Sequence, residues 1–215
     1  LSSWHTDPIS TPEIHYMGKN RLCVTGRPAR KFSPEKIVVG TEGFIPLWEK
    51  GVHLRYRLNE RTFRETKRSK EEVLKVLNEA IKQWGDSAPI TLVEDSNLWD
   101  FEISLRNASD CRDDGCSMDV QVSTLTHELG HIFGLRHWFA KEEDGELGWT
   151  SEVFGHNEAF TIMNYGEKSM LTNEDKRDLK LLYKLVWSGE LKKINTTPIV
   201  LFKPYSAHSP TAGHR

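Results

Sequence analysis

Apolar and polar residues alternate along Val52-His-Leu54-Arg-Tyr56-Arg-Leu58, the period of a strand with one face buried. The period then changes. Val73, Leu74, Val76, Leu77, Ala80, Ile81 and Trp84 fall on one stripe of a helix. Ser69 occupies the N-cap position, Glu72 three residues later completes a capping box, and Gly85 is the expected stop. Ile90-Thr-Leu92-Val93 and Phe101-Glu-Ile103-Ser-Leu105 read as two further strands. A helix beginning near Val120 follows. The segment from Leu171 to Trp187 reads as a last amphipathic helix, with Leu179, Leu182, Tyr183 and Val186 on its apolar side. Thr172, with Asp175 three residues on, supplies its cap.

The rest of the pattern is less regular. Residues 1 to about 45 are rich in Pro, Gly and polar side chains, with a short β-like run at Ile37-Val38-Val39, and suggest an extended arm. Arg61 to Lys70 is locally basic and is expected to form a solvated loop and helix entry. From about residue 190 the chain is polar and contains proline, so a loosely held tail is expected.

In 215 residues, 37% are hydrophobic and 28% charged, which supports one folded unit with a modest core and argues against disorder. A net charge of −2 provides no global basic field for nucleic acid or acidic membranes, and neither is expected as a partner. No apolar run is long enough to span a bilayer. A monomer is expected. No signal peptide opens the chain, and Leu1 suggests that preceding residues were removed or lie outside it.

The candidate chemistry is concentrated in His127-Glu-Leu-Gly-His131-Ile-Phe-Gly134-Leu-Arg-His137. Four residues apart on a helix, His127 and His131 project from one face. Gly134 can leave the helix with positive φ at little steric cost, so the chain can turn and present His137 from a third direction. Three imidazole ligands leave a fourth position open, as a catalytic zinc site requires. Glu128, beside the first ligand, is the candidate general base. Downstream lies Thr161-Ile-Met163-Asn-Tyr165.

The long histidine motif followed by this methionine segment resembles the metzincin zinc metallopeptidases. The resemblance covers roughly residues 45 to 187. Its first half is most similar to a matrixin, with Leu47-Trp48-Glu-Lys before a strand and a capped helix ending Gln83-Trp84. Its second half is similar to the astacin and serralysin families, because Met163 stands well beyond His137 and Tyr165 stands two after the methionine.

The resemblance implies an α+β catalytic domain: a twisted mixed sheet with long helices, and a smaller lower lobe bearing the methionine turn. It implies an arm or pro-segment over 1–45, a catalytic domain over 46–190 and a tail over 191–215. It also implies a secreted endopeptidase acting on protein or peptide substrates. Met163 would pack beneath the histidines without binding the metal. Tyr165 would donate a hydrogen bond to the oxyanion, and a core tyrosine is the alternative. The other functional readings are a catalytically silent binding protein of this fold and a zinc amidase on a non-peptide substrate.

Cysteines and carboxylates add subsidiary expectations. Cys111 and Cys116 bracket the turn-forming Arg-Asp-Asp-Gly, and a local disulfide there would favour a secreted protein; free thiols in a reducing compartment are the alternative. Arg21-Leu-Cys23-Val-Thr-Gly26 is faintly similar to the matrixin latency segment, in which a cysteine thiolate caps the zinc, although the spacing differs. With Cys23 in that role the chain would be a latent zymogen; a buried thiol or pairing with Cys111 or Cys116 are the other options. The acidic insert from Lys141 to Glu158 could bind calcium (Ca2+) but lacks regular oxygen-ligand spacing, so a solvated loop is expected, with His156 on its surface. Asn107-Ala-Ser109 and Asn195-Thr-Thr197 match the short N-glycosylation pattern.

Overall fold

A computed structural model describes residues 43–65, 68–104, 118–137, 151–155, 161–164 and 169–207. In chain order these carry β1 (Ile45–Trp48), β2 (His53–Leu58), α1 (Glu60–Glu65), α2 (Lys70–Trp84), β3 (Thr91–Glu94) and β4 (Phe101–Ile103). They continue with α3 (Met118–Ile132), α4 (Asn173–Trp187), β5 (Lys193–Ile194) and β6 (Thr197–Phe202). The fold is α+β, as expected.

Strand β2 lies between β3 and β4, parallel to both. Parallel neighbours need a crossover, and α2 makes it between β2 and β3. Along β2, Leu54 and Tyr56 are buried while Arg55 and Arg57 are half-buried, the alternation anticipated from the sequence. Strand β4 departs from alternation, because Glu102 is buried with its neighbours Phe101 and Ile103. Arg57 stands opposite Glu102 in register and donates to its carboxylate at 2.6 Å. Asn59 and Ser104 donate to the other carboxylate oxygen, each at 2.8 Å. Burial alone would raise the Glu102 pKa; these donors outweigh it and hold the carboxyl below its ordinary range.

Helix α2 starts and stops where its caps dictate. Ser69 and Glu72 form a complete capping box, and Gly85 ends the helix at φ 57°. Of the predicted stripe, Val73, Leu77, Ala80 and Trp84 are buried, and Leu74, Val76 and Ile81 are half-buried against the core. Each large apolar side chain removed from water contributes about 1.5–3 kcal/mol. Trp84 bridges to α3 and the residue after it. Its indole donates to the Thr126 carbonyl at 2.9 Å, and its ring meets Phe133 edge-on at 5.4 Å between centroids. Gln83 accepts from the Thr126 hydroxyl at 3.0 Å. From Val122 on, helix α3 is buried over most of its circumference, with Leu125, Leu129 and Ile132 in the core and Phe133 buried directly after it.

Three segments differ from expectation. Residues 60–65 form helix α1, inside the stretch read as a solvated loop. Phe63 is buried and anchors it, whereas its charged neighbours conceal any apolar period. Residues 45–48, where the expected arm gives way to the expected catalytic domain, form β1, a strand not read from the sequence. The chain after 190 was expected to be loosely held, but it forms a β5–β6 hairpin whose second strand pairs in parallel with β1. Ser206 beyond it donates twice to Asp100, at 2.7 Å from N–H and 2.9 Å from the hydroxyl. Strand pairing supplies the hydrogen-bonding partners that the short apolar run Ile199–Phe202, set in a polar surround, lacks in isolation. No helix among the described residues is long and apolar enough to cross a membrane.

Candidate metal centre

Helix α3 places His127 and His131 one turn apart, as their spacing requires. The helix then ends in a Schellman arrangement: Gly134 N–H donates to the His131 carbonyl and Leu135 N–H to the Gly130 carbonyl, both at 2.9 Å. Gly134 adopts φ +92°, and a Cβ there would sit 2.7 Å from Leu47 Cδ2. Glycine is therefore required twice, for the left-handed backbone and for the close approach of β1. The turn brings His137 back beside the helix.

All three imidazoles are buried, and their ligand nitrogens lie within 4.8 Å of one another. His131 Nε2 is 3.2 Å from Nε2 of His127 and 3.2 Å from Nε2 of His137. Among the described residues, no other group of three or more His, Cys, Asp or Glu side chains is gathered in this way.

The opposite ring nitrogens explain why the Nε2 atoms face inward. His127 Nδ1 donates to the Ile162 carbonyl at 2.6 Å, and His131 Nδ1 donates to the Leu135 carbonyl at 2.8 Å. A carbonyl can only accept, so each Nδ1 carries the proton and each Nε2 presents a bare lone pair. Two such lone pairs facing at 3.2 Å repel unless a cation lies between them. At zinc–nitrogen distances of about 2.0–2.1 Å, tetrahedral ligands stand roughly 3.3 Å apart. The donor set and its spacing therefore fit one zinc ion.

The electrostatics agree. Burial, then the neighbouring His127 and His137, push the His131 pKa well below its ordinary value. Burial, then His127 and the Arg136 charge, push His137 down to about 3. These rings are neutral at neutral pH, the form that binds metal.

Met163 and the turn around it underlie the helix. A Cβ on Gly130 would meet Met163 Sδ at 2.5 Å, so the thioether occupies the space that this glycine leaves open. Asp175 of α4 holds the same turn. It accepts from the Thr161 hydroxyl at 2.5 Å and the Ile162 N–H at 3.3 Å, while completing the α4 capping box with Thr172. Glu128 is buried on α3, at 4% exposure.

Several predicted residues fall outside the described set: Tyr165, Cys23, Cys111, Cys116, Asn107 and His156. Within the acidic insert, Glu152 is described. It accepts from Asn195 Nδ2 at 2.6 Å and from the Thr197 hydroxyl at 2.8 Å, tying the insert to the β5–β6 turn. Sequence reasoning missed Gly130 and the carbonyls of Leu135 and Ile162. A backbone carbonyl leaves no mark on residue type. The sequence marks Asp175 as a cap, and its support of the turn around Met163 comes only with the fold.

No family model and no curated protein matches this sequence. Among solved structures, one of myroilysin aligns with a TM-score of 0.47 and 17% identity, over 64% of this chain and 95% of that one. A second myroilysin structure aligns with a TM-score of 0.44 and 15% identity, over 71% and 97%. High choriolytic enzyme 1, a hatching-enzyme zinc protease from the medaka fish Oryzias latipes, aligns with a TM-score of 0.43 and 14% identity, over 64% and 94%.

Proposed function

We propose that this chain is a zinc-dependent endopeptidase of the metzincin type, acting on protein or peptide substrates. One observation carries the proposal: three buried imidazoles turn their Nε2 atoms toward a common point, and backbone carbonyls fix the tautomer of two of them, leaving Nε2 of His127 and His131 bare. His127, His131 and His137 are the metal ligands. When bound there, zinc supplies Lewis acidity and brings the pKa of water to about 7.

Glu128 is the general base. It takes a proton from the attacking water and returns it to the leaving amine. Its place next to His127 on a buried helix excludes bulk solvent, which strengthens its interaction with that proton. Tyr165 follows the methionine turn closely in sequence and donates to the oxyanion. Met163 and Gly134 shape the site without contacting substrate.

The catalytic unit spans 46–190, preceded by an arm over 1–45 and followed by the 191–215 segment. The protein acts as a secreted monomer, and a Cys111–Cys116 disulfide suits that setting. Cys23 would cap the metal in a latent form, the other readings being a buried thiol or pairing with Cys111 or Cys116.

Zinc content and hydrolysis of casein or a quenched peptide test the proposal together. The expected result is one zinc per chain and peptide-bond cleavage that Glu128→Ala abolishes while zinc is retained. A zinc-loaded chain that cleaves no peptide would be a silent binding protein. Hydrolysis confined to non-peptide amides would make it an amidase.

A further inference from the structure

Helix α3 leaves the carbonyls at its C-terminal end, up to Phe133 just past it, without partners inside the helix. Two of them are taken by aromatic side chains from opposite ends of the described chain. Trp48 Nε1, from β1, donates to the Ile132 carbonyl at 2.7 Å. The Tyr183 hydroxyl, from α4, donates to the Phe133 carbonyl at 3.0 Å. The two donors are joined, because the Trp48 N–H donates to the Tyr183 hydroxyl at 3.4 Å. Trp187 closes the group by donating from Nε1 to the Trp48 carbonyl at 2.9 Å.

This group stands directly on the turn that leads to His137. The Pro46 carbonyl and Leu47 Cδ2 of the same strand flank the place where a Gly134 Cβ would be, at 3.4 and 2.7 Å. Strand β1 is itself held by β6, with Trp48 opposite Phe202. Tyr183 is buried, and burial raises its pKa, so the phenol stays a donor at any physiological pH.

We propose that Trp48 and Tyr183 are positioning residues for the third metal ligand, fixing the last turn of α3 and so the direction from which His137 approaches. This rests on the zinc reading above. His127 and His131 belong to the helix and are oriented by it. His137 lies beyond the turn, and its placement depends on how firmly that turn is held. A carbonyl released from its donor lets the last turn fray, and a ligand displaced by a fraction of an ångström weakens a tetrahedral site.

Trp48→Phe and Tyr183→Phe test the inference, because each keeps a ring in place and removes one donor. Zinc affinity is measured by chelator competition, and site geometry by the visible absorption of the cobalt-substituted protein. Each variant is expected to bind zinc about 10- to 100-fold more weakly than wild type and to alter the cobalt band. Phe63→Leu is the control. It removes buried volume on α1, outside this group, and is expected to lower stability while leaving zinc affinity and the cobalt band unchanged.

Wild-type zinc affinity and spectrum in both aromatic variants would overturn the inference. So would an equal loss in Phe63→Leu, which would mark a general stability effect. A wild-type chain that binds no zinc would remove the metal reading itself, and this inference with it.

Discussion

The carbonyl of Ile162 accepts a 2.6 Å hydrogen bond from Nδ1 of His127. This contact joins the methionine turn to the metal helix and fixes the tautomer of the first ligand. Asp175 stands behind it, because its carboxylate accepts from both Thr161 and Ile162. A helix cap thus serves as a support for a metal ligand two hydrogen bonds away.

Asp175→Ala should therefore have two effects. It removes half of the α4 capping box and takes away the acceptor for the Thr161 hydroxyl proton, which together cost about 1–3 kcal/mol. It also frees the Ile162 carbonyl to move, so zinc should bind more weakly. Urea unfolding of the metal-free chain reads the first effect and zinc titration the second. A stability loss with wild-type zinc affinity would confine Asp175 to capping.

Metal removal should destabilise the fold. Without a cation, the bare Nε2 atoms of His127 and His131 face one another at 3.2 Å inside a buried site. Anything that binds the folded state alone stabilises it by mass action, about 4 kcal/mol at a thousandfold excess over the dissociation constant. Dialysis against 1,10-phenanthroline should lower the melting temperature by several degrees, and stoichiometric zinc should restore it. An identical melting curve before and after zinc addition would argue against a metal in this site.

Much of this was legible from side-chain pattern. The capped helix α2, the strand β2 and the histidine spacing each announce themselves through periodicity or fixed offsets. Helix α4 and both halves of its capping box are equally plain. What escaped was non-local. Strands β1 and β6 are each stabilised by the other, across most of the chain, and neither has a convincing period alone. Glu102 sits at a position that alternation would place outward. It is buried because Arg57, Asn59 and Ser104 converge on it, and only the fold brings those donors together. The Leu135 and Ile162 carbonyls that orient the ligands could belong to any residue type.

Two glycines with positive φ separate strain from contact. Gly134 has φ +92° and Gly189 has φ +78°. An alanine at either position suffers backbone strain, on the order of 1–3 kcal/mol. At Gly189 the added methyl meets nothing within 4 Å, whereas at Gly134 it meets Leu47 Cδ2 at 2.7 Å. Gly189→Ala should lower stability and leave zinc affinity unchanged. Gly134→Ala should lower both, because β1 must retreat from the turn that carries the chain to His137. Equal zinc affinity in the two variants would show that the turn tolerates the intrusion.

Acid should unfold the metal-free protein through its histidines. His131 and His137 have pKa values depressed in the folded state, His137 to about 3, whereas an unfolded histidine titrates near 6.5. Between those values the unfolded chain binds more protons than the folded one, so stability rises with pH across that window. The contribution is fully present above about pH 6.5 and is lost as pH falls toward 3, on the order of a few kcal/mol. Urea midpoints of the metal-free chain, measured from pH 7.5 down to 4, should fall steadily below pH 6.5. Replacing His137 by Gln removes one titrating group and should flatten that slope. Zinc competes with protons for the same nitrogens, so its presence should shift the acid limb to lower pH. A urea midpoint independent of pH between 7 and 4.5 would mean that the rings are already solvated, and the buried arrangement of imidazoles would be wrong.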